Sequence, residues 1–152
     1  MLSPTRSMDA ILTMVEFVKD EAVFASDEDI VIRVKVKSKR DINDLRVNIG
    51  ILDIQDVQLG GYSSDAFFHI SANEEKMLEY TLKNTNLALG TYSLAFSVGQ
   101  GNAQEGETNY DVVHHLLSFD IDRISHKENK HFMKWDKSWG YICFHAIMRE
   151  LK

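Results

Sequence analysis

The chain has 152 residues, of which 44% are hydrophobic and 26% are charged, and its formal net charge is −6. This length is enough for a single domain with a substantial core. The acidic balance argues against binding to nucleic acid or to an anionic membrane surface, because basic patches supply most of the affinity for both. The dense basic run at Arg33–Arg40 alternates with valines, which predicts the solvated face of a strand.

Cysteine content and chain ends limit the class of protein further. The single cysteine, Cys143, excludes an internal disulfide framework, and its apolar neighbours predict a buried structural thiol. No segment has the roughly 18 consecutive apolar residues that a membrane span needs, and the N-terminus lacks the apolar core of a secretory signal. We therefore expect no direct membrane insertion, a linker or leader stub at residues 1–8, and one domain over residues 9–152.

Apolar and polar side chains alternate along much of the chain, which is the pattern of half-buried β-strands. Polar or glycine-containing segments separate these runs, as expected for turns. In chain order the predicted strands are Ala10–Val18, Ile30–Val36, Leu45–Ile51, Gln58–Tyr62, Phe67–Ile70, Lys76–Lys83, Tyr92–Val98 and Val113–Ile121.

Two segments are less regular than these strands. Gly99–Asn109 contains three glycines and is predicted to be an exposed, mobile loop. The tail from Trp139 to Leu151 has both helical and strand spacing, and its β-branched and aromatic content favours a strand. Short strands with little helix predict an all-β, antiparallel β-sandwich, since one sheet alone cannot bury its apolar face.

Several short motifs resemble a known family. Leu89 precedes "GTYSL" at Gly90–Leu94, and "YD" at Tyr110–Asp111 precedes "LSFDI" at Leu117–Ile121. In this order and spacing they resemble the C-terminal, carbohydrate-binding domain of the Wzt-type ATPases of polysaccharide ABC exporters. The stretches "VFASDEDIVIRVKV" and "IGILDIQDVQLGGYSSD" are similar to that family's opening strand pair and central hairpin.

The resemblance covers about Ala10 to Ile121. The sequence departs from the family pattern in lacking a glycine within "DIQDVQ" and a glycine after the last phenylalanine strand. The tail from Ser125 onward matches the family pattern least well, so the pattern does not fix the position or the role of its tryptophans.

The resemblance implies an immunoglobulin-like β-sandwich that binds the end of a lipid-linked O-antigen glycan on the cytoplasmic side of the bacterial inner membrane. It also implies a homodimer, in which terminal strands are exchanged, and a link to an exporter permease through an ATPase domain. That ATPase domain would normally precede this one, and the chain has no G-x-x-x-x-G-K-[ST] phosphate loop. We expect no cofactor and no ATP hydrolysis by this chain. It would then be either an excised domain or a free-standing relative of the family.

The adjacent histidines His114 and His115 suggest a metal site at first. Neighbouring strand residues point to opposite faces, so the two rings cannot ligate one ion without distortion. His115 shares its face with Val113 and Leu117 and is predicted to be a hydrogen-bonded core histidine, whereas His114 faces outward, where it can meet a ligand. The other histidines show no zinc-type spacing, and no metal is expected: His69, His126, His131 and His145.

Paired carboxylates and serines suggest catalysis only weakly. Asp53 and Asp56 occupy one turn, but a glycosidase needs two carboxyls at a set separation with one pKa raised. Solvated surface acids are the simpler interpretation, as they are for Asp120 and Asp122. The stretch Ser63–Asp65 lacks the nucleophile elbow that a serine hydrolase requires.

Aromatic residues are the candidates for carbohydrate contact, since sugar rings pack their flat C–H faces on aromatic rings. Trp135 and Trp139 lie in a polar stretch, where they contact sugar, plug the sandwich or form a dimer seam. Tyr62 and Tyr110 occupy loop edges and are expected to be partly exposed. Tyr110–Asp111 is first expected to close the long loop onto the sheet, with recognition as the second interpretation. The predicted carbohydrate-binding residues are Tyr62, Tyr110, Asp111, His114, Trp135 and Trp139.

The favoured function is therefore non-catalytic binding of an exported polysaccharide. A structural or dimerisation sandwich without glycan binding is the first alternative. An enzyme that acts on the polysaccharide is the second.

Overall fold

A computed structural model of the chain describes residues 8–64, 66–102, 106–124, 135, 137–144 and 146–151. Residues 1–7, Asp65, His126, His131 and His145, about which the sequence made predictions, lie outside this part. No helix in these ranges is long and apolar enough to cross a membrane. The strands are β1 Ala10–Phe17, β2 Val23–Ala25, β3 Ile30–Ser38, β4 Ile42–Leu52, β5 Gln58–Tyr62, β6 Phe68–Ile70, β7 Glu75–Leu82, β8 Gly90–Asn102 and β9 Gly106–Arg123, and one 3₁₀ turn spans Lys137–Trp139.

The strands form two sheets that pack face to face. The smaller sheet has the order β1-β3-β7, and the larger has the order β2-β9-β8-β4-β5, with β6 also paired to β4. Neighbouring strands are antiparallel except β2 and β9, which are parallel. The predicted β-sandwich is confirmed.

The predicted alternation sets which faces meet. On β3 the buried side chains belong to every second residue from Ile30 to Val36, and on β8 the series from Tyr92 to Val98 is buried in the same way. The basic residues between the β3 valines face outward, where Arg33 pairs with Glu79 at 3.1 Å. The basic run is a solvated strand face, as its spacing predicts.

The segment Gly99–Asn109 is strand for most of its length, so the predicted loop is wrong. Gly99 pairs with Asn109, Gln100 with Thr108, and the ladder continues to Asn102. Backbone hydrogen bonds hold this extension, and they do not need apolar side chains. A Cβ on Gly99 would lie 2.7 Å from the Thr108 carbonyl oxygen, which explains the glycine there.

A bulge in β9 overturns the prediction for His115. Leu94 pairs with Leu117 and Phe96 with Val113, so Ala95 alone faces three residues of β9. His115 has a φ of 61°, which turns its ring out of the interior. His115 is exposed on the outer face of the larger sheet rather than buried in the core. Alternation cannot be carried across a bulge, because extra residues shift the pattern.

Tyr110 and Asp111 are buried, so the predicted exposure of Tyr110 is wrong. The Tyr110 hydroxyl donates to Gln100 Oε1 at 2.7 Å and accepts from Arg40 Nη2 at 2.7 Å. Asp111 Oδ2 accepts the backbone N–H of Leu12 at 3.0 Å, in β1 of the other sheet. The pair therefore joins the two sheets, which is an architectural role, although Asp111 bonds β1 rather than the loop.

The C-terminal tail does not form the predicted strand. Ile142 makes an isolated bridge with Leu87, and residues 146–151 adopt neither helix nor strand. Cys143 is only half-buried. A strand needs a partner along its length, and beyond this bridge the tail has none among the described residues.

Candidate functional site

A groove of about 310 Å³ lies on the outer face of the larger sheet. We call it the outer groove. Residues from the neighbouring strands β5, β4, β8 and β9 line it, together with the residue that follows β5. They are Asn48, Ile49, Gly50, Gln58, Gly61, Tyr62, Ser63, Ala95, Phe96, Ser97, Val112 and His114.

Small residues form the floor of the outer groove. Gly50 of β4 pairs with Gly61 on one side and with Ala95 on the other, so three positions in one row carry at most a methyl group. A Cβ on Gly50 would lie 3.3 Å from Gln58 Nε2. The glycines thus allow the Gln58 amide to lie over the floor, which leaves a shallow surface of backbone and C–H groups.

Amide, hydroxyl and imidazole side chains surround this floor. Ser97 projects from β8 beside Asn48 of β4, and His114 approaches from β9. Asn48 Oδ1 is a buried acceptor without a hydrogen-bond partner among the described residues. A buried acceptor left unpaired costs free energy. A ligand hydroxyl that donates to Asn48 Oδ1 would remove this cost. Amide, hydroxyl and imidazole groups around an apolar floor suit an uncharged ligand rich in hydroxyls.

Tyr62 lies at one end of the outer groove lining, and its ring packs against the core. It ends β5 and is half-buried, and its hydroxyl donates to the Lys83 carbonyl at 2.9 Å. Burial raises the pKa of the Tyr62 phenol, with Asp29 as the smaller cause. The ring is therefore held in place by its own hydrogen bond and remains neutral.

Next to His114, three side chains join the β4–β5 turn to the β9 bulge. His115 Nε2 lies 3.1 Å from Asp56 Oδ1, and its Nδ1 lies 3.2 Å from Ser93 Oγ. Both Asp56 and His115 have positive φ, a conformation that costs free energy unless neighbours stabilise it. These groups have the order of a hydrolytic relay, but Ser93 is only 8% exposed, which gives a nucleophile little access to a polymer.

Asp53 organises the turn that carries Asp56. Its Oδ1 accepts the backbone N–H groups of Gln55 at 2.8 Å and Val57 at 2.9 Å, and its Oδ2 accepts the Tyr141 hydroxyl at 2.8 Å. The Val57 amide foremost, together with Tyr141 and Gln55, lowers the pKa of Asp53. Asp53 is buried, so the prediction of a solvated acid is wrong for this residue. The lowered pKa is opposite to what a glycosidase acid requires.

The structure separates the predicted carbohydrate-binding residues. His114 and Tyr62 both line the outer groove, whereas Tyr110 and Asp111 are buried between the sheets. Trp135 and Trp139 lie in the tail, outside the groove lining, with ring centroids 5.8 Å apart. Trp135 Nε1 donates to the Gly140 carbonyl at 2.9 Å, and Trp139 is 61% exposed.

Sequence reasoning missed most of the groove lining. Asn48 and Gly50 were visible as outward positions of β4, and Ser97 as an outward position of β8. The strand register that places them beside Gly61 was not visible. Small outward residues on neighbouring predicted strands were the one available signal.

No cluster of three or more histidine, cysteine, aspartate or glutamate side chains with metal-binding geometry occurs in the described ranges. The His114 and His115 rings lie 6.2 Å apart between centroids. His115 is already engaged by Asp56 and Ser93.

Comparison with known proteins agrees with the sequence resemblance. The model of the family described as the Wzt C-terminal domain matches residues 6–133. The crystal structure of the C-terminal domain of Wzt is similar to this chain with a TM-score of 0.70 and 16% identity, over 94% of this chain and 84% of that one. A Niemann-Pick type C2 protein from the Japanese carpenter ant shares the fold more distantly, with a TM-score of 0.50 and 8% identity over 73% of this chain and 91% of that one. No curated protein matches the sequence. The chain belongs to the Wzt C-terminal domain family.

Proposed function

We propose that the chain is a non-catalytic carbohydrate-binding domain that recognises the end of a lipid-linked, O-antigen-type polysaccharide for export by an ABC transporter. The observation that carries this proposal is the outer groove, with its glycine and alanine floor and its polar rim. Family membership supports the link to polysaccharide export.

The outer groove suits a sugar for physical reasons. The C–H face of a pyranose ring packs on a flat floor, and the side chains of Asn48, Gln58, Ser97 and His114 exchange hydrogen bonds with its hydroxyls. Each hydroxyl gives up a water hydrogen bond for one of similar strength, so the affinity of one site is modest. Two sites in a dimer raise the apparent affinity through effective concentration.

We assign Tyr62 and His114, among the residues predicted from sequence, to the wall and rim of the glycan site. Trp135 and Trp139 form a second candidate surface in the tail, where the exposed Trp139 ring offers a flat face. Tyr110 and Asp111 have no place in either surface because both are buried.

The proposed partners follow from the family and from exposed apolar side chains. The domain would act as a homodimer at the cytoplasmic face of the bacterial inner membrane, joined to the exporter permease through an ATPase domain. Ile54 and Val57 are exposed in the turn that Asp53 fastens to Tyr141. This gives the tail end of the sandwich an apolar surface that a second copy covers.

Titration of the protein with polysaccharide from the same organism tests this function. Ser97→Phe places a ring in the outer groove and abolishes binding, whereas Ser118→Phe alters an exposed position of the same sheet face, outside the groove lining, and leaves binding unchanged. The polymer is recovered with unchanged length. Equal binding by the two variants, or a shortened polymer, overturns the proposal.

The alternative is a dimerisation sandwich that binds no glycan. The observation that favours it is the tail, where Phe144, Ile147 and Met148 are exposed and Ile147 reaches 101%. Deletion of Trp135–Lys152 separates the two functions. Loss of the dimer with retained sugar binding indicates that the tail serves only as a dimer interface. Absence of sugar binding in the intact chain favours the alternative.

A further inference from the structure

A second cavity, of about 390 Å³, lies between the two sheets. We call it the inter-sheet cleft. Strand β4 changes partner here, because Leu45 pairs with β6 and Ile49 pairs with β5. The connection between β5 and β6 covers the intervening part of β4, and β7 of the smaller sheet closes the other side.

Apolar and aromatic side chains form most of the lining of the inter-sheet cleft, with the hydroxyl groups of Ser63, Ser64 and Thr81 among them. Phe67, 47% exposed, lies at the mouth, and Val47 and Ile49, both fully buried, lie at the bottom. Leu78 and Tyr80 of β7 complete the walls. The volume falls within the range of small-molecule sites, roughly 300 to 1,000 Å³.

The described part of the cleft lining carries little charge. Among the residues that the structure describes, the lining has no lysine, arginine or histidine, and its one carboxylate, Glu79, accepts a hydrogen bond from Arg33 Nε at 3.1 Å. Burial raises the pKa of the Tyr80 phenol to about 12, as expected in a poorly hydrated surrounding. A charged ligand would lose its water against the buried side chains of Val47 and Ile49 without a partner of opposite charge there.

We propose that the inter-sheet cleft binds an uncharged aliphatic chain. The chain enters past Phe67 and reaches Val47 and Ile49. Tyr62 and Ser63 line both the cleft and the outer groove, so an alkyl chain attached to a sugar contacts both sites at once. The aliphatic chain belongs either to a free lipid or to the apolar part of a glycolipid, and both would make the same contacts in the cleft. This site does not depend on the proposed glycan function.

A series of linear alcohols, followed by NMR of the full chain, tests this site. Octan-1-ol shifts the signals of Leu78, Tyr80 and Phe68, and affinity rises roughly four-fold for each methylene added from butan-1-ol to octan-1-ol. Ala66→Trp fills the mouth at an exposed position that lines the cleft, and it abolishes these shifts. Met77→Ser is the matched control, since Met77 is 53% exposed on the opposite face of β7, and it changes nothing.

Two glucosides distinguish the sources of the chain. If the natural ligand is a glycolipid, n-octyl β-D-glucoside binds more tightly than octan-1-ol, and Ser97→Phe removes only that gain. Equal affinities of n-octyl β-D-glucoside and octan-1-ol indicate a free lipid. Methyl β-D-glucoside alone leaves the cleft signals unchanged.

The proposal is overturned by the absence of cleft shifts with octan-1-ol, by no dependence of affinity on alcohol length, or by equal loss of binding in Ala66→Trp and Met77→Ser. Cleft signals that change on dilution, and that are lost on deletion of residues 144–152, assign the cleft to the tail of a second copy instead. Failure of polysaccharide binding with retained octan-1-ol binding refutes the glycan function alone.

Discussion

Tyr141 donates a hydrogen bond of 2.8 Å to Asp53 across 88 residues of sequence, and this bond fastens the C-terminal segment to the β4–β5 turn. Two backbone hydrogen bonds flank it, from Ala88 N to the Tyr141 carbonyl and from Cys143 N to the Asn86 carbonyl. The same carboxylate orders the turn that holds Asp56 against His115, beside the outer groove. One buried acid therefore connects the tail to the candidate binding face.

Substitutions at Asp53 and Tyr141 separate the two roles of this carboxylate. Tyr141→Phe removes one donor and frees the tail, so amide hydrogen exchange rises at residues 137–143 and the turn remains protected. Asp53→Asn weakens acceptance from Gln55, Val57 and Tyr141 together, so it lowers the Tm more and also raises exchange in the turn. Equal effects of the two variants contradict this account.

The same hydrogen bond predicts a pH dependence of stability. Hydrogen bonds, first from the Val57 amide, lower the pKa of Asp53 below its ordinary 3.8. The contribution of Asp53 to the stability of the fold is therefore complete above pH 3.8, and it is lost as the pH falls through the lower folded-state pKa. The bond to Asp53 raises the pKa of Tyr141 above its ordinary 10.0. The contribution of Tyr141 to the stability of the fold is complete below pH 10.0, and it is lost as the pH rises through the raised folded-state pKa.

The difference in Tm between the wild type and Tyr141→Phe is accordingly constant from pH 3.8 to 10.0 and shrinks outside this interval. Thermal unfolding of both proteins across the pH range measures it. A difference that varies within the interval is inconsistent with this hydrogen bond.

Two glycines of the larger sheet should respond in opposite ways to alanine. A Cβ on Gly99 meets the Thr108 carbonyl oxygen at 2.7 Å and Arg46 Nη1 at 3.0 Å, whereas a Cβ on Gly60 has no neighbour within 4 Å. Gly99→Ala should lower the free energy of unfolding by about 1–3 kcal/mol through overpacking. Gly60→Ala should be neutral or stabilise by up to about 1 kcal/mol, because it restricts the unfolded chain. Urea denaturation compares them, and similar losses would show that the hairpin register is wrong.

Asp111 should contribute to stability rather than to ligand binding. Asp111→Ala leaves the part-buried Leu12 N–H without its acceptor and should cost about 1.5–3 kcal/mol. Asp111→Asn retains an amide oxygen and should recover part of this loss. Both variants should bind polysaccharide with unchanged affinity once folded. A stable Asp111→Ala variant with impaired binding would return this residue to the site.

His114 should contribute one hydrogen bond to the glycan. His114→Ala should weaken polysaccharide binding by roughly three- to ten-fold, the value of one such bond, without changing the Tm, because the side chain is exposed. His69→Ala, at an exposed histidine of β6 outside the groove lining, is the control. Titration of both variants against the wild type measures the effect.

Local alternation predicted the strands well because burial imposes a period of two on each of them. The runs Ile30–Val36 and Tyr92–Val98 are buried as their spacing indicates. The bulge opposite Ala95 depends on a backbone arrangement that no pattern of side chains signals. His115 was therefore assigned to the wrong face.

Other features depended on partners distant in sequence. Tyr110 is buried because Arg40 and Gln100 satisfy its hydroxyl, and neither contact can be read from neighbouring residues. The floor of the outer groove depends on register in the same way, since Gly50 and Gly61 meet only once β4 and β5 are paired. His114 and Tyr62, which line the outer groove, were nominated from strand position and ring exposure, and both are local properties.

Backbone amide signals of the ¹⁵N-labelled protein, recorded as the cognate polysaccharide is added, locate the glycan site. We expect shifts confined to the outer groove, at Gly50, Gly61, Ala95, Ser97 and His114. Shifts confined to Trp135 and Trp139, or no shifts with the matching polymer, would contradict this expectation.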